Sequence, residues 1–269
     1  MADLDGVTTR VVAPNPGPMT LDGTNTYVVG EPGSGDAVVV DPGPDDPAHR
    51  RQVEAVLGSR DAAPALVVVT HRHRDHAAAA RHWAADWRCP VAAPTADVAG
   101  PDGVVVRDGQ RLQRGGVMLE AVATPGHCSD HTAYRLDHGP LLTGDHVVGR
   151  GTSVVAYPDG DLESYLVSLR RVAHLGPDAI YPGHGPELSE HDPMEVVRYY
   201  LDHRAFREQQ ILALLSEGPQ HTTRLVRLIY ADADPRVLPA AAASTRAALE
   251  KLTREGRVVV DSGAIARLP

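Results

Sequence analysis

Leu66-Val67-Val68-Val69-Thr70-His71-Arg72-His73-Arg74-Asp75-His76 is an apolar, β-branched run that ends in three histidines and an aspartate within six positions. A short run of this kind, closed by polar residues, predicts a buried strand. The groups after it then hang from the end of a rigid core element. In extended chain, alternate side chains point the same way, so His71 and His73 can converge on one point. The Ala-rich segment from Ala77 to Trp87 predicts a helix, which places Asp75 and His76 near its first turn and offset from that pair. Nitrogen and oxygen donors presented in two directions are what a two-metal site needs. A basic surface loop is the plain alternative, and the density of donors argues against it.

A strand-end cluster needs partners from elsewhere in the chain. Thr124-Pro125-Gly126-His127 follows the apolar run Val117 to Val122, and Thr143-Gly144-Asp145 follows Leu141-Leu142. Tyr181-Pro182-Gly183-His184-Gly185 follows Ala179 to Tyr181. In each, glycine lets the backbone turn sharply and approach an ion closely. Any one alone reads as an ordinary loop; three together with the opening motif do not. Five imidazoles and two carboxylates, with no thiolate, suit zinc and also admit iron or manganese.

Further strands are expected at Val7 to Val12, Asn25 to Gly30, Ala37 to Val40, Val91 to Ala93, Val104 to Val106 and His131 to Leu136. Helical spacing recurs over Pro47 to Gly58 and over Asp161 to Leu175, where Leu162, Tyr165, Leu166, Leu169 and Val172 repeat at three and four. These elements predict a two-sheet α/β sandwich over residues 1–193. After Pro193 the pattern changes: Met194 to Ser216, Thr222 to Tyr230 and Pro239 to Glu255 read as three helices. Gly256 to Leu268 reads as a hairpin, so residues 194–269 have the order of a winged-helix unit, or of a small packing or dimerisation domain that makes a homodimer.

The net charge of -9 argues against a protein that coats long nucleic acid, though not against a local cationic groove. From Asp202 onward the balance is +2 and before it -11, so the tail is the less acidic part. No apolar run approaches the ~20 residues that span a bilayer. The acidic start Met1-Ala2-Asp3-Leu4-Asp5 lacks the form of a secretory signal, which makes the cytoplasm the expected location. Cys89 and Cys128 are expected to be free thiols there.

In order and interval, His71-X-His73-X-Asp75-His76, His127, Asp145 and His184 resemble the metallo-β-lactamase superfamily. Thr20-Leu21-Asp22-Gly23-Thr24-Asn25-Thr26-Tyr27, Gly149-Arg150-Gly151-Thr152 and His203-Arg204 with Arg207-Glu208-Gln209-Gln210 narrow the likeness to the lactamase-β-like protein 2 group. The resemblance implies a four-layer αββα fold with a winged-helix-like tail. It implies two zinc ions, one held by His71, His73 and His127, the other by Asp75, His76 and His184, with Asp145 bridging. It also implies a hydrolase that attacks with a hydroxide shared between the ions, with Asp75 as ligand and catalytic proton shuttle.

Single-stranded RNA is the first substrate expected, because the group includes a zinc-dependent endoribonuclease. An acyl-carrier-protein or coenzyme A thioester is the alternative, since the group also holds thioesterases. A non-catalytic nucleic-acid or partner-binding protein is a third. A true β-lactamase is not expected, given the bridging Asp145. Asn25 and Thr152 are candidates for substrate contact, although Asn or Thr in such turns equally serves as a cap. His131 is expected to support the donors rather than to join them.

Overall fold

Strands form where Val, Ile and Thr crowd together, and helices begin where a carboxylate caps free backbone N–H groups. The structure, a computed structural model, describes Met1 to Pro269. In chain order the elements are β1 (Ala2–Asp3), β2 (Thr8–Val12), β3 (Asn25–Val29), β4 (Asp36–Val40), α1 (Pro47–Ser59), β5 (Ala63–Val68), α2 (Arg74–Ala77) and α3 (Ala80–Trp87). There follow β6 (Val91–Ala93), α4 (Ala96–Ala99), β7 (Val104–Val105), β8 (Arg111–Arg114), β9 (Val117–Ala123), β10 (Thr132–Leu136), β11 (Leu141–Gly144), α5 (Leu162–Leu175) and β12 (Ile180–Pro182). The last are α6 (Pro193–Ser216), β13 (Gln220–His221), α7 (Thr222–Ile229), α8 (Leu238–Arg254), β14 (Val259–Val260) and β15 (Ile265–Arg267).

The chain resolves into two compact units. The first comprises Met1–Thr124, Asp130–Gly151 and Pro177–Pro193. It holds a seven-stranded sheet in the order β1 to β7 and a five-stranded sheet in the order β12-β11-β10-β9-β8. Tyr27, Val38, Val40, Leu66 and Val68 from one sheet and Leu119, Ala121, Tyr134, Leu136, Leu142 and Tyr181 from the other make the core between them. The alternate residues Val28, Val39, Val67 and Val69 pack on helices α1 and α3, through Val53, Leu57, Ala80 and Trp83. Both faces of the central strands are therefore buried, as a continuous valine run requires.

Two parallel pairings set up the chemistry. Strand β4 runs beside β5, with Val40 opposite Val68, so the residues after both strands share one end of the sheet. Strand β11 runs beside β12 and brings Gly144 opposite Pro182.

The second unit comprises Pro125–Ser129, Thr152–Gly176 and Met194–Pro269. This grouping differs from a single cut after Pro193, because α5 and the segment before it go with the C-terminal residues. Side chains explain it: Arg254 binds Asp161, the N-cap of α5, and the Arg204 guanidinium lies 5.1 Å from the centre of the Tyr165 ring. Helices α7 and α8 pack through Leu225, Ala248, Leu249 and Leu252, and β13, β15 and β14 form a small antiparallel sheet beside them.

One local expectation is corrected. Asp75 and His76 do not open the long helix; they lie in the separate single turn α2, and α3 begins only at Ala80. The break is held by Ala79 N–H, which donates to Gly43 O at 3.2 Å. Helix α4 and strands β8 and β13 were not legible as elements, being short and without clean periodicity. No helix is long and apolar enough to cross a membrane. Neither cysteine forms a disulfide, and Cys128 is buried.

Candidate metal centre

Three segments of the first unit end at one place. The loop after β5 carries His71, His73, Asp75 and His76; β11 leads to Asp145 and β12 to His184. The β11–β12 pairing delivers the last two together, and Gly183 N–H to Gly144 O (2.8 Å) extends it by one rung. Glycine is required at both positions. A Cβ on Gly183 would sit 2.7 Å from both Asp145 Oδ1 and His76 Cε1. At Gly144, where φ is +47°, it would sit 2.8 Å from His131 Nε2.

The donors converge closely. His76 Nε2 and His184 Nε2 lie 3.2 Å apart. Asp145 Oδ1 is 3.3 Å from each of them. Asp75 Oδ2 is 3.2 Å from His184 Nε2 and 3.7 Å from His76 Nε2. Asp75 and Asp145 thus each approach both imidazole nitrogens. A tetrahedral ion bonded to nitrogen and oxygen at about 2.0–2.1 Å has edges of about 3.3–3.4 Å. The residues therefore fit a divalent metal of zinc's size. Beside them, His71 Nε2 lies 3.0 Å from His73 Nδ1, and the donors of His71, His76 and Asp145 fall within 4.8 Å of one another.

Charge points the same way. Burial opposes a proton on His76, yet Asp145 and Asp41 hold its pKa well above the usual value. Against its burial, His184 is raised to about 9 by Asp145 and Asp75. Burial would raise the Asp145 carboxyl, but His184 and His76 hold it well below the ordinary range. Asp75, also against burial, is lowered by its bond to His184 and the charge of His76. Two carboxylates here demand positive charge, which a divalent ion supplies.

One carboxylate that sequence reading missed aligns two of the imidazoles. Asp41 is buried just past β4 and accepts from Thr70 N–H at 2.8 Å and Thr70 Oγ1 at 2.7 Å. Asp41 Oδ2 also lies 2.8 Å from His76 Nδ1, and Thr70 Oγ1 lies 2.9 Å from His71 Nδ1. Both rings are thus set with Nδ1 toward the protein and Nε2 toward the cluster, an arrangement that frees one ring nitrogen for a metal while the other is held. The signal was present in Val40-Asp41-Pro42-Gly43: a carboxylate placed straight after a buried strand and before a tight turn.

His131 has the supporting role expected of it. Its Nε2 accepts from Asp145 N–H at 3.1 Å, and its Nδ1 lies 2.8 Å from Thr124 Oγ1. Asn25 departs from expectation. It is 1% exposed, and its amide donates to Pro182 O and Gly185 O, both at 2.8 Å, so it holds the His184 loop instead of facing substrate. Tyr27 OH donates to Pro182 O at 2.7 Å and strengthens the same clamp. His127 and Thr152 lie in the second unit, Thr152 partly exposed. The His127 ring is oriented by Val154 O, 2.6 Å from its Nδ1.

Residues 19–184 match the family model of the metallo-beta-lactamase superfamily. The chain belongs to that superfamily. Residues 222–266 of this superfamily member also match the beta-lactamase associated winged helix domain. A beta-lactamase-like protein 2 homolog of Drosophila melanogaster is 31% identical, over 95% of this chain and 90% of that protein. A protein of Emericella nidulans named a thioesterase is 35% identical, over 77% of this chain and 58% of its own length. In structure, a metallo-beta-lactamase family protein from Thermus thermophilus superposes with a TM-score of 0.81 at 24% identity, covering 99% of both chains. The mixed α/β fold with a winged-helix domain is thereby shared, and the chain is a hydrolase-fold protein with a histidine and aspartate cluster able to hold metal.

Proposed function

We propose that this chain is a zinc-dependent hydrolase of acyl thioesters, carried on coenzyme A or on an acyl-carrier protein. The observation that carries the hydrolytic reading is the convergence of Asp75 and Asp145 on the ring nitrogens of His76 and His184. The thioester is favoured by the relative named a thioesterase, which is 35% identical. Residues 1–193 would supply all seven donors, His127 joining by its place in Thr124-Pro125-Gly126-His127, and residues 194–269 would form the winged-helix part.

A pair of divalent ions, when bound, would activate water near pH 7 and polarise the carbonyl oxygen of the thioester whose C–S bond is cleaved. The chain's own residues supply the rest. Asp41 and Thr70 keep the imidazoles of His76 and His71 in one tautomer. Asp145, with only 12% of its side chain exposed, serves as a fixed carboxylate between donors. The Asp75 side chain is 31% exposed and presents Oδ2 to the cluster, which leaves Oδ1 to take the proton from the attacking water and pass it to the leaving thiolate.

Cleavage of single-stranded RNA has one specific observation in its favour. Arg72, Arg74 and Arg81, with Asp97, line an open hollow of about 290 Å³. Against it, two of the three cations on the third helix of the winged-helix part are spent on acids: Lys251 on Glu208 and Glu255, and Arg254 on Asp161 and Glu163.

The test is a single panel. Zinc-reconstituted protein and its Asp75→Ala variant are assayed against an acyl-coenzyme A, bis-(p-nitrophenyl) phosphate and single-stranded RNA. Thioester turnover lost in the variant is the expected result; RNA cleavage without thioester turnover overturns it.

A further inference from the structure

Arg204, on α6, is 5% exposed. A buried guanidinium is costly unless it is paired, so its partners are informative. One face lies over the Tyr165 ring at 5.1 Å, and Nη2 donates a short hydrogen bond to the Ser153 carbonyl. The next carbonyl, Val154 O, is the one that orients the His127 ring, 2.6 Å from Nδ1. Ser153 Oγ lies 3.3 Å from the same nitrogen. Helix α8 holds the segment one residue further on, through Ser244 Oγ and Val155 N–H at 3.3 Å.

A second route converges on the same loop. Gly126, at φ +140°, lies so close to α5 that a Cβ there would be 2.3 Å from Tyr165 Cα. Gly126 O also accepts from Asp161 N–H at 2.9 Å, and Pro125 O from Ser168 Oγ at 2.8 Å. Arg204 therefore presses on Tyr165, which backs Gly126, while it fixes Ser153, which precedes the carbonyl bonded to His127. Residues 125–129 and 152–176 cluster with the C-terminal residues for this reason.

We propose that Arg204 is a positioning residue for His127: from the C-terminal part of the chain it holds Ser153-Val154 so that His127 keeps its Nδ1–H tautomer and offers Nε2 to metal. The C-terminal residues of the second unit thus have a duty toward His127 independent of any substrate contact. The inference rests on the reading of His127 as a ligand.

The test uses full-length Arg204→Met, which removes the buried charge but keeps apolar volume, with Arg204→Gln as a second variant and His127→Ala as reference. Zinc content and affinity are measured by titration with a competing chelator. The His127 tautomer is read from ¹⁵N shifts of its ring in stripped protein. His127→Ala is expected to weaken one of two zinc ions selectively. Both Arg204 variants are expected to weaken the same ion by about 10–100-fold and to mix the His127 tautomers, leaving the other ion unchanged. Two zinc ions at wild-type affinity in either folded Arg204 variant, with the ring signature unchanged, overturn the positioning role. Two wild-type affinities in His127→Ala overturn the ligand reading instead.

Discussion

The donor cluster of the first unit and the charged surface of α8 in the second both bring ionisable side chains together, with opposite logic. Around His76 and His184, carboxylates and imidazoles crowd within 3.2–3.7 Å, and their tautomers are set from behind by Asp41 and Gly23. On α8, Lys251 shares Glu208 and Glu255 with Arg257 beyond the helix, and Arg254 meets Asp161 and Glu163. The first arrangement concentrates the demand for positive charge at one point. The second spreads its opposite charges over neighbouring partners. Convergence, more than the count of charges, distinguishes a ligand site from a stabilised surface.

Four measurements would break or sharpen that contrast. The largest effect is expected from Asp75→Ala, with turnover down by about 10²–10⁴-fold as general acid–base assistance is lost. Zinc content, measured on the same samples, should fall far less; equal losses would make Asp75 a ligand only. Next, Asp41→Asn removes the carboxylate behind His76 and Thr70, and zinc affinity should drop by about 10–100-fold in a chelator competition. Unchanged affinity would show that Thr70 alone sets the rings.

Third comes pH. His184 is held at about 9 in the folded chain against 6.5 as its ordinary value. Below pH 6.5 both folded and unfolded chains carry the proton and this stabilisation is complete; it is lost as pH climbs through 9. Stripped protein should accordingly melt at progressively lower temperature from pH 7 to 9.5, and zinc uptake at pH 7.5 should release protons, measurable by calorimetry in two buffers. A flat melting profile and no proton release would remove the cluster's charge argument. The smallest effect is expected on α8's flank: Arg257→Ala, at a side chain 49% exposed, should cost at most about 1 kcal/mol by denaturant titration. A larger loss would mean that these pairs do more than neutralise a surface.

Local chemistry made much of this legible. The valine run before His71, the Pro-Gly turns before His127 and His184, and the Asp161 cap with its period of three and four on α5 each declare themselves within a few residues. So did the donor types, and with them the family. What stayed hidden depended on residues distant in sequence. Asp41 became a partner of His76 because β4 lies parallel to β5, a pairing that no neighbouring residue announces. Asn25 exchanged an expected substrate contact for the His184 loop because the carbonyls of Pro182 and Gly185 fold back onto it from about 160 positions away. Sequence alone determined which groups could bind metal and on which strand ends they stand, since those are matters of residue type and short-range periodicity. Only the tertiary structure decided how each ring is turned and what holds it there, because a hydrogen bond is set by distance in space and carries no trace in chain order.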